Sequence, residues 1–198
     1  LRPYSYVDLL LLFSFMGAGV LSVVSASLVW FGFLIHLEWR HRDRGRAYWS
    51  PAVWMCAWAV GLALNPSIGL AVAVLLSIAY SYKKRFRFVG RVSFLYNGLL
   101  KVALVAGMPG ATPRDLLLVG SVMAVRNLAG DFRDVRKDRA DGATTLPILL
   151  GLRDDVRWLY PTCLGATSLL WWSLGSLPIS ALLVAWLVEL LTYRLTPR

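Results

Sequence analysis

Eight apolar runs follow one another along the chain, and their lengths limit the fold more than any other feature of the sequence. They cover residues 6–22, 26–39, 50–64, 68–82, 89–107, 114–130, 156–174 and 178–194. A helix that crosses the hydrocarbon core needs roughly 20 mostly apolar residues, and several runs approach that length. A content of 58% hydrophobic and 16% charged residues agrees with burial in lipid. The pattern predicts an all-α, polytopic transmembrane helix bundle of about eight spans, with residues 1–198 forming one domain.

The boundary between the first two runs is less well defined than the others. No charged residue lies between Asp8 and Glu38, and only the serine-rich stretch from Ser22 to Ser27 indicates a turn. A turn at that stretch predicts two separate spans. A single long helix, tilted in the bilayer, is the alternative for this part of the chain.

The basic residues are concentrated in short loops on one side of the predicted bundle. With the N-terminus inside, every Lys and Arg except Lys101 and Arg114 falls on that side. Such loops normally remain cytoplasmic, so we expect a multi-pass protein of the cell (plasma) membrane whose segment 126–155 faces the cytoplasm. The net charge of +10 reflects this bias, and no nucleic-acid partner is expected.

An acidic window follows the sixth run. If that run continues as a helix, Asp131, Asp134 and Asp138 recur at i, i+3 and i+7 and share one face, which Asn127 joins one turn earlier. Carboxylates so close together repel one another unless a cation neutralises them, and Mg²⁺ prefers such oxygen ligands. The alternative is a solvated loop in which neighbouring Arg and Lys side chains form ion pairs with the aspartates.

The order of residues in this window resembles a known motif. Asp131-x-x-Asp134-x-x-x-Asp138-x-x-x-Gly142-x-x-Thr145-Leu146-Pro147, followed by Leu149-Leu150-Gly151, is similar to the second aspartate-rich motif of UbiA-type membrane prenyltransferases. Within that superfamily it is most similar to the branch of archaeal geranylgeranylglyceryl phosphate prenyltransferases and menaquinone-type enzymes. Two weaker similarities are Leu1-Arg2-Pro3 before the first helix and Tyr80-Ser81-Tyr82-Lys83-Lys84 before a basic loop.

This resemblance implies a helical bundle, usually of nine spans, around a central cavity that opens towards lipid. It implies Mg²⁺ as cofactor and a prenyl diphosphate bound at the cytoplasmic end, with membrane lipids around the bundle. The activity implied is transfer of the isoprenyl group to a lipophilic or lipid-precursor acceptor.

The family's first motif, Asn-Asp-x-x-Asp-x-x-x-Asp at the end of the second span, is not present in this chain. The corresponding region reads His36-Leu37-Glu38-Trp39-Arg40-His41-Arg42-Asp43-Arg44-Gly45-Arg46. Glu38 and Asp43 are the candidate remnants as metal ligands. The arginines of this loop, among them Arg42 and Arg46, are candidates to neutralise diphosphate in place of a second metal ion.

The resemblance and the charge pattern together assign the candidate site. The expected Mg²⁺ ligands and catalytic residues are Asp131, Asp134 and Asp138. The expected substrate-binding residues are Asn127, Arg126, Lys83, Lys84, Tyr80, Lys101, Arg42 and Arg46. Two alternatives remain: a non-catalytic relative that binds a lipid or a partner, and a transporter or channel that uses intramembrane charges such as Lys101 and Glu189 along a pathway.

Overall fold

The computed structural model describes residues 2–40, 49–82 and 86–196, and within these ranges it is helical, without strands. Eight helices have 13 or more residues: α1 Pro3–Phe15, α2 Val20–Arg40, α3 Pro51–Leu64, α4 Ile68–Ser81, α6 Ser93–Ala106, α7 Pro113–Arg133, α10 Leu159–Leu174 and α11 Ile179–Leu195. Three are short: α5 Arg87–Arg91, α8 Val135–Ala140 and α9 Leu146–Leu149. The predicted all-α class is confirmed. The candidate residues Arg42, Asp43, Arg46, Lys83 and Lys84 lie outside the described residues.

The eight longer helices correspond to the eight predicted runs, but most of them are shorter than a helix that crosses a bilayer. In the part of the chain that the structure describes, one helix, α2, is long and apolar enough to cross a bilayer by itself, with a mean hydropathy of 2.1. Helices α1, α3, α4 and α6 are apolar but shorter, at 13 or 14 residues. Eight membrane spans therefore stay a prediction.

The turn between the first two helices lies earlier than the sequence suggested. Helix α1 ends at Phe15, and Gly17 adopts a φ of 60°, which only glycine reaches without steric cost. The amide of Ala18 donates to the carbonyl of Phe13, and that of Gly17 donates to Ser14, a Schellman ending. The expected turn at Ser22 to Ser27 was wrong, because Ser25 is a buried helical residue whose Oγ donates to the Gly61 carbonyl of α3 at 2.6 Å.

Helix α7, which carries the candidate aspartates, is fixed at its start by its own sequence. Thr112 and Asp115 form a capping box: the Thr112 Oγ1 accepts from the Asp115 amide, and the Asp115 carboxylate accepts from the Thr112 amide at 3.0 Å. Pro113 occupies the first turn, where its missing N–H costs nothing. From this start α7 runs for 21 residues to Arg133.

The helices pack pairwise around a central space. Helix α2 packs on α3 and α4, α6 packs on α4 and α7, and α1 packs on α10 and α11, while α10 also contacts α7. The α6–α7 contact is close because Gly98 has no side chain: a Cβ at this position would lie 2.9 Å from the carbonyl oxygen of Gly120. Leu9, Leu100 and Trp171 are among the residues buried in the core that results.

Candidate functional site

Several chain segments meet at one end of the bundle. The guanidinium of Arg40, at the end of α2, lies 4.4 Å from the ring centroid of Tyr82, which follows α4. Ser93, at the start of α6, donates from Oγ to Asp131 Oδ2 at 2.8 Å. Thr144 donates to the Arg87 carbonyl at 3.0 Å. The described parts of the basic and acidic loops therefore share one end of the fold, as the sequence predicted.

The acidic window is not one continuous helix. Helix α7 ends at Arg133, Asp134 has φ −106° and ψ 20°, and α8 begins at Val135. The condition for the predicted common face, a helix that continues without a break from Asp131 to Asp138, is therefore not met. Neighbouring residues of a regular helix do not face each other, yet Arg133 and Asp134 form an ion pair in which Nε donates to Oδ1 at 2.8 Å and Nη2 donates to Oδ2. The interruption lets these adjacent side chains meet.

Asp134 is held by this ion pair as a carboxylate. Burial alone would raise its pKa, but the hydrogen bonds and positive charge of Arg133, with Lys137 and Arg2 adding to the charge, lower the pKa below its ordinary value. The Arg133 guanidinium also lies over the ring of Tyr160, 4.3 Å from the centroid. Asp134 thus takes part in the ion pairing that the alternative interpretation of this window predicted.

The surroundings of Asp138 differ from those of Asp134. Its side chain is buried in α8, and among the described residues Oδ2 has no hydrogen-bond partner. A buried carboxylate oxygen without a partner is costly and fits a cation ligand. Asp131 is also buried and accepts from Ser93. Across residues 2–40, 49–82 and 86–196, however, no three His, Cys, Asp or Glu side chains converge on one metal position.

A small cavity of about 50 Å³ lies in the centre of the bundle. Its walls include four residues that the sequence assigned to the substrate: Tyr80, Lys101, Arg126 and Asn127. They also include residues that the sequence did not assign, namely Arg2, Tyr4, Asn97 and Tyr160. The structure thus brings together these predicted residues from α4, α6 and α7, beside the apolar side chains of α2.

Asn127 connects the cavity with the acidic window. It accepts at Oδ1 from Nδ2 of Asn97 at 2.5 Å and donates to the Met123 carbonyl at 2.6 Å. Asp131 follows it by four residues, about one helical turn or 6 Å along α7. Tyr160 lines the cavity and contacts Arg133, so the cavity adjoins the acidic end on this side as well.

Arg126 forms a buried ion pair with Asp8 of α1 through Nη1 and Oδ2. The side chain of Asp8 is completely buried, and that of Arg126 is 7% exposed. The sequence predicted a phosphate contact for Arg126 and no role for Asp8. A carboxylate inside an apolar run was the signal for a buried partner, because a buried ionised group requires one.

Lys101 is a second buried cation in the cavity wall. Its side chain comes from the middle of α6, and Nζ lies 3.1 Å from the ring centroid of Trp30. Among the described residues, Nζ has no hydrogen-bond partner. The sequence-based assignment of Lys101 to the cavity agrees with this position. A cation–π contact alone stabilises a buried ammonium only in part.

Glu38, the first candidate remnant of the missing motif, is buried in the last turn of α2. The cavity wall includes Leu37, its chain neighbour. Asp43, the second candidate, lies outside the described residues. The pairing of Glu38 with Asp43 as metal ligands stays a prediction.

No protein-family model and no curated protein sequence matches the chain. A solved structure does: that of a UbiA homolog from Archaeoglobus fulgidus bound to DMAPP and Mg²⁺, with a TM-score of 0.56. The alignment covers 98% of this chain and 83% of that one, at 19% sequence identity. At this identity the likeness establishes the fold and leaves the activity open. The resemblance drawn from the acidic window is confirmed at the level of architecture: the chain has a UbiA-type fold.

Proposed function

We propose that the protein is a membrane prenyltransferase that moves an isoprenyl group from a Mg²⁺-bound prenyl diphosphate to a lipophilic or lipid-precursor acceptor. The observation that carries the proposal is the position of a cation-lined cavity next to the end of the bundle that holds the aspartates. A cavity walled by the cations Arg2, Lys101 and Arg126 adjoins the end of the bundle that holds Asp131, Asp134 and Asp138. Cations and aspartates together suit a metal-bound diphosphate. The UbiA homolog bound to DMAPP and Mg²⁺ supports the same substrate class.

Asp131 and Asp138 are the aspartates best placed to hold Mg²⁺. Both are buried, and the Oδ2 of Asp138, which has no hydrogen-bond partner within the described ranges, fits a cation. Asp134 would join them only after releasing Arg133, which is then free to meet the negative charge of the substrate. When bound, Mg²⁺ supplies stabilisation of the charge that develops on the leaving diphosphate.

The residues of the chain orient and neutralise the reacting groups. As the allylic C1–O bond breaks, the electron pair leaves with diphosphate, and Lys101, Arg126 and Arg2 stabilise that charge by hydrogen bonds and proximity. The acceptor's nucleophilic atom forms the new bond to C1, and its proton is lost to solvent or to a carboxylate of the site. Tyr80 and Asn127 position the donor through hydrogen bonds. Apolar side chains of α2 in the cavity wall, among them Phe33 and Leu34, would shield the allylic cation from water.

The cavity is too small for a prenyl diphosphate in this structure. About 50 Å³ accommodates a water molecule or two, whereas ligand sites typically measure about 300 to 1,000 Å³. Binding of a prenyl diphosphate therefore requires the side chains around Lys101 and Arg126 to separate.

The protein acts, in this proposal, as a multi-pass protein of the plasma membrane formed by a single domain. The distribution of Lys and Arg supports a cytoplasmic position for the acidic end, because basic loops normally remain on that side. Membrane lipids surround the bundle and supply the lipophilic acceptor. The sequence predicts that the arginines of residues 40–46 and the Lys83–Lys84 pair add positive charge on the cytoplasmic side.

The second candidate is a non-catalytic protein that uses the same fold to bind a lipid or a partner. Two observations favour it: the first aspartate-rich motif is missing from the sequence, and Asp134 is already paired with Arg133. This candidate predicts that a prenyl diphosphate, if it binds, is not consumed.

The test measures Mg²⁺-dependent binding of a prenyl thiolodiphosphate, which resists cleavage, to the purified protein. We expect Asp131→Asn and Asp138→Asn to weaken binding at least about tenfold, because each removes a ligand charge. Asp154→Asn is the matched control, since Asp154 is exposed and pairs with Arg136 at 2.5 Å. It should bind within twofold of the unmodified protein.

A radiolabelled prenyl diphosphate then separates the two candidates. Mg²⁺-dependent formation of a prenylated lipid product supports the transferase, and binding without any product supports the non-catalytic candidate. Equal binding with and without Mg²⁺, or unchanged binding in both aspartate variants, would contradict the proposed site.

A further inference from the structure

A groove of about 320 Å³ lies between α7 and α10, and it shares one residue with the central cavity. Its walls include the apolar side chains Val122, Val125, Ala166 and Leu170. Arg126 lines both the groove and the cavity, so its side chain forms a wall between them. The groove therefore leads from the outside of the bundle to a buried cation of the proposed active site.

The composition of the groove indicates what kind of molecule fits it. Its walls are almost entirely apolar and Val125 is 63% exposed, which suits a hydrocarbon chain that arrives from the lipid. Its inner end is a guanidinium, which attracts an oxygen-rich or anionic group. Asp8 accepts from the Nη1 atom of Arg126, Tyr160 forms a further side-chain hydrogen bond with Arg126, and the guanidinium carries five N–H donors in all. An amphiphile with an apolar tail and an oxygen-bearing head matches both ends.

The position of the groove distinguishes the two substrates of the proposed reaction. The diphosphate of the donor is placed beside Asp131 and Asp138. Ser121, which also lines the groove, precedes Asp131 by ten residues, about 15 Å along α7. A donor held at the acidic end would have to pass its chain through the Arg126 side chain to reach the groove, whereas an acceptor arriving from the lipid meets Arg126 with its head first.

We infer that the α7–α10 groove is the acceptor site: it holds the hydrocarbon chain of an amphiphilic acceptor whose oxygen-bearing head is bound by Arg126. This inference rests on the proposed prenyltransferase function and names the acceptor class as a single-tailed or multi-tailed lipid with a hydroxylated or anionic head. Opening of the Asp8–Arg126 pair would join the groove to the cavity and bring the acceptor head to the allylic carbon.

A natural cysteine permits a direct test that does not depend on catalysis. Cys163 lines the groove, and Cys56 is exposed on α3, away from it; both thiols are free. The rate of N-ethylmaleimide modification is measured at each cysteine by mass spectrometry with oleate or oleylamine, which share a chain and differ in head charge. We expect oleate to slow modification of Cys163 at least fivefold, oleylamine less than twofold, and neither to change Cys56.

Two tryptophan variants connect the groove to the reaction. Ala166→Trp fills the groove, whereas Leu169→Trp adds the same bulk to α10 at an exposed position outside the groove lining. Ala166→Trp should abolish protection of Cys163 by oleate and reduce prenyl transfer at least tenfold, while affinity for the prenyl thiolodiphosphate stays within twofold. Leu169→Trp should retain both the protection and the transfer.

The outcomes separate this inference from the proposed function. Donor binding without protection of Cys163, equal protection by oleate and oleylamine, or normal transfer in Ala166→Trp would overturn the acceptor site and leave the transferase standing. Protection of Cys163 by farnesyl diphosphate but not by oleate would assign the groove to the donor and overturn the inference. Selective protection by oleate in a protein that binds no prenyl diphosphate would support the groove and refute the transferase.

Discussion

The buried ion pair between Asp8 and Arg126 should dominate the stability of the bundle around the cavity. Asp8→Asn preserves the volume of the side chain, so it leaves no packing defect, but it strands the buried Arg126 guanidinium. Removing one partner of a buried pair typically costs about 3 to 5 kcal/mol. We therefore expect a loss within this range, roughly two to four decades in the unfolding equilibrium.

The assay is unfolding in mixed dodecylmaltoside and SDS micelles, followed by the fluorescence of the nine tryptophans. The double variant Asp8→Asn/Arg126→Gln removes the stranded charge and should recover at least about 2 kcal/mol of the loss, the coupling expected within such a pair. Asp154→Asn is the control, since its pair with Arg136 has side chains 73% and 66% exposed and contributes about 0 to 1 kcal/mol. A loss in Asp8→Asn no larger than in the control would refute the reasoning.

Two further predictions concern residues around the same cavity. Gly98→Leu should destabilise the protein strongly and lower its unfolding midpoint in the same assay. The reason is that even a Cβ at this position would lie 2.9 Å from the Gly120 carbonyl oxygen. A midpoint equal to that of the unmodified protein would contradict the α6–α7 packing. Lys101→Met should leave stability unchanged or raise it, because Nζ has no hydrogen-bond partner among the described residues, yet it should weaken prenyl thiolodiphosphate binding at least tenfold. Unchanged binding would remove Lys101 from the site.

The helices could be predicted from the sequence because apolar runs and their breakers are local signals. Six of the predicted runs begin or end within a few residues of α3, α4, α6, α7, α10 and α11, where proline, serine or threonine marks the start of several helices. The turn after α1 was misplaced because serine in a membrane helix is ambiguous. It can end a helix or bring two helices together by donating to a backbone carbonyl, as Ser25 does.

The details of the site were harder to predict because they depend on contacts between distant segments. The partners Asp8 and Arg126 are separated by 118 positions in the chain. Spacing predicted a common face for Asp131, Asp134 and Asp138 on a continuous helix, but it did not reveal the break between α7 and α8 or the pairing of Arg133 with Asp134 at that break. Helical periodicity shows which residues are neighbours on one helix, whereas the choice of ion-pair partner is made by tertiary structure.

The charges that line the cavity bear on the choice between the proposed transferase and a scaffold that only keeps the fold. Arg2, Lys101 and Arg126 line the cavity, and Asp8 is the carboxylate paired with one of them. Burying a cation without an equivalent anion costs several kcal/mol, and a scaffold gains nothing in return. A bound diphosphate would offset that cost, because it would bring negative charge and several acceptor oxygens into the cavity. We therefore interpret the cations that line the cavity as one half of an interaction whose other half is an anionic substrate.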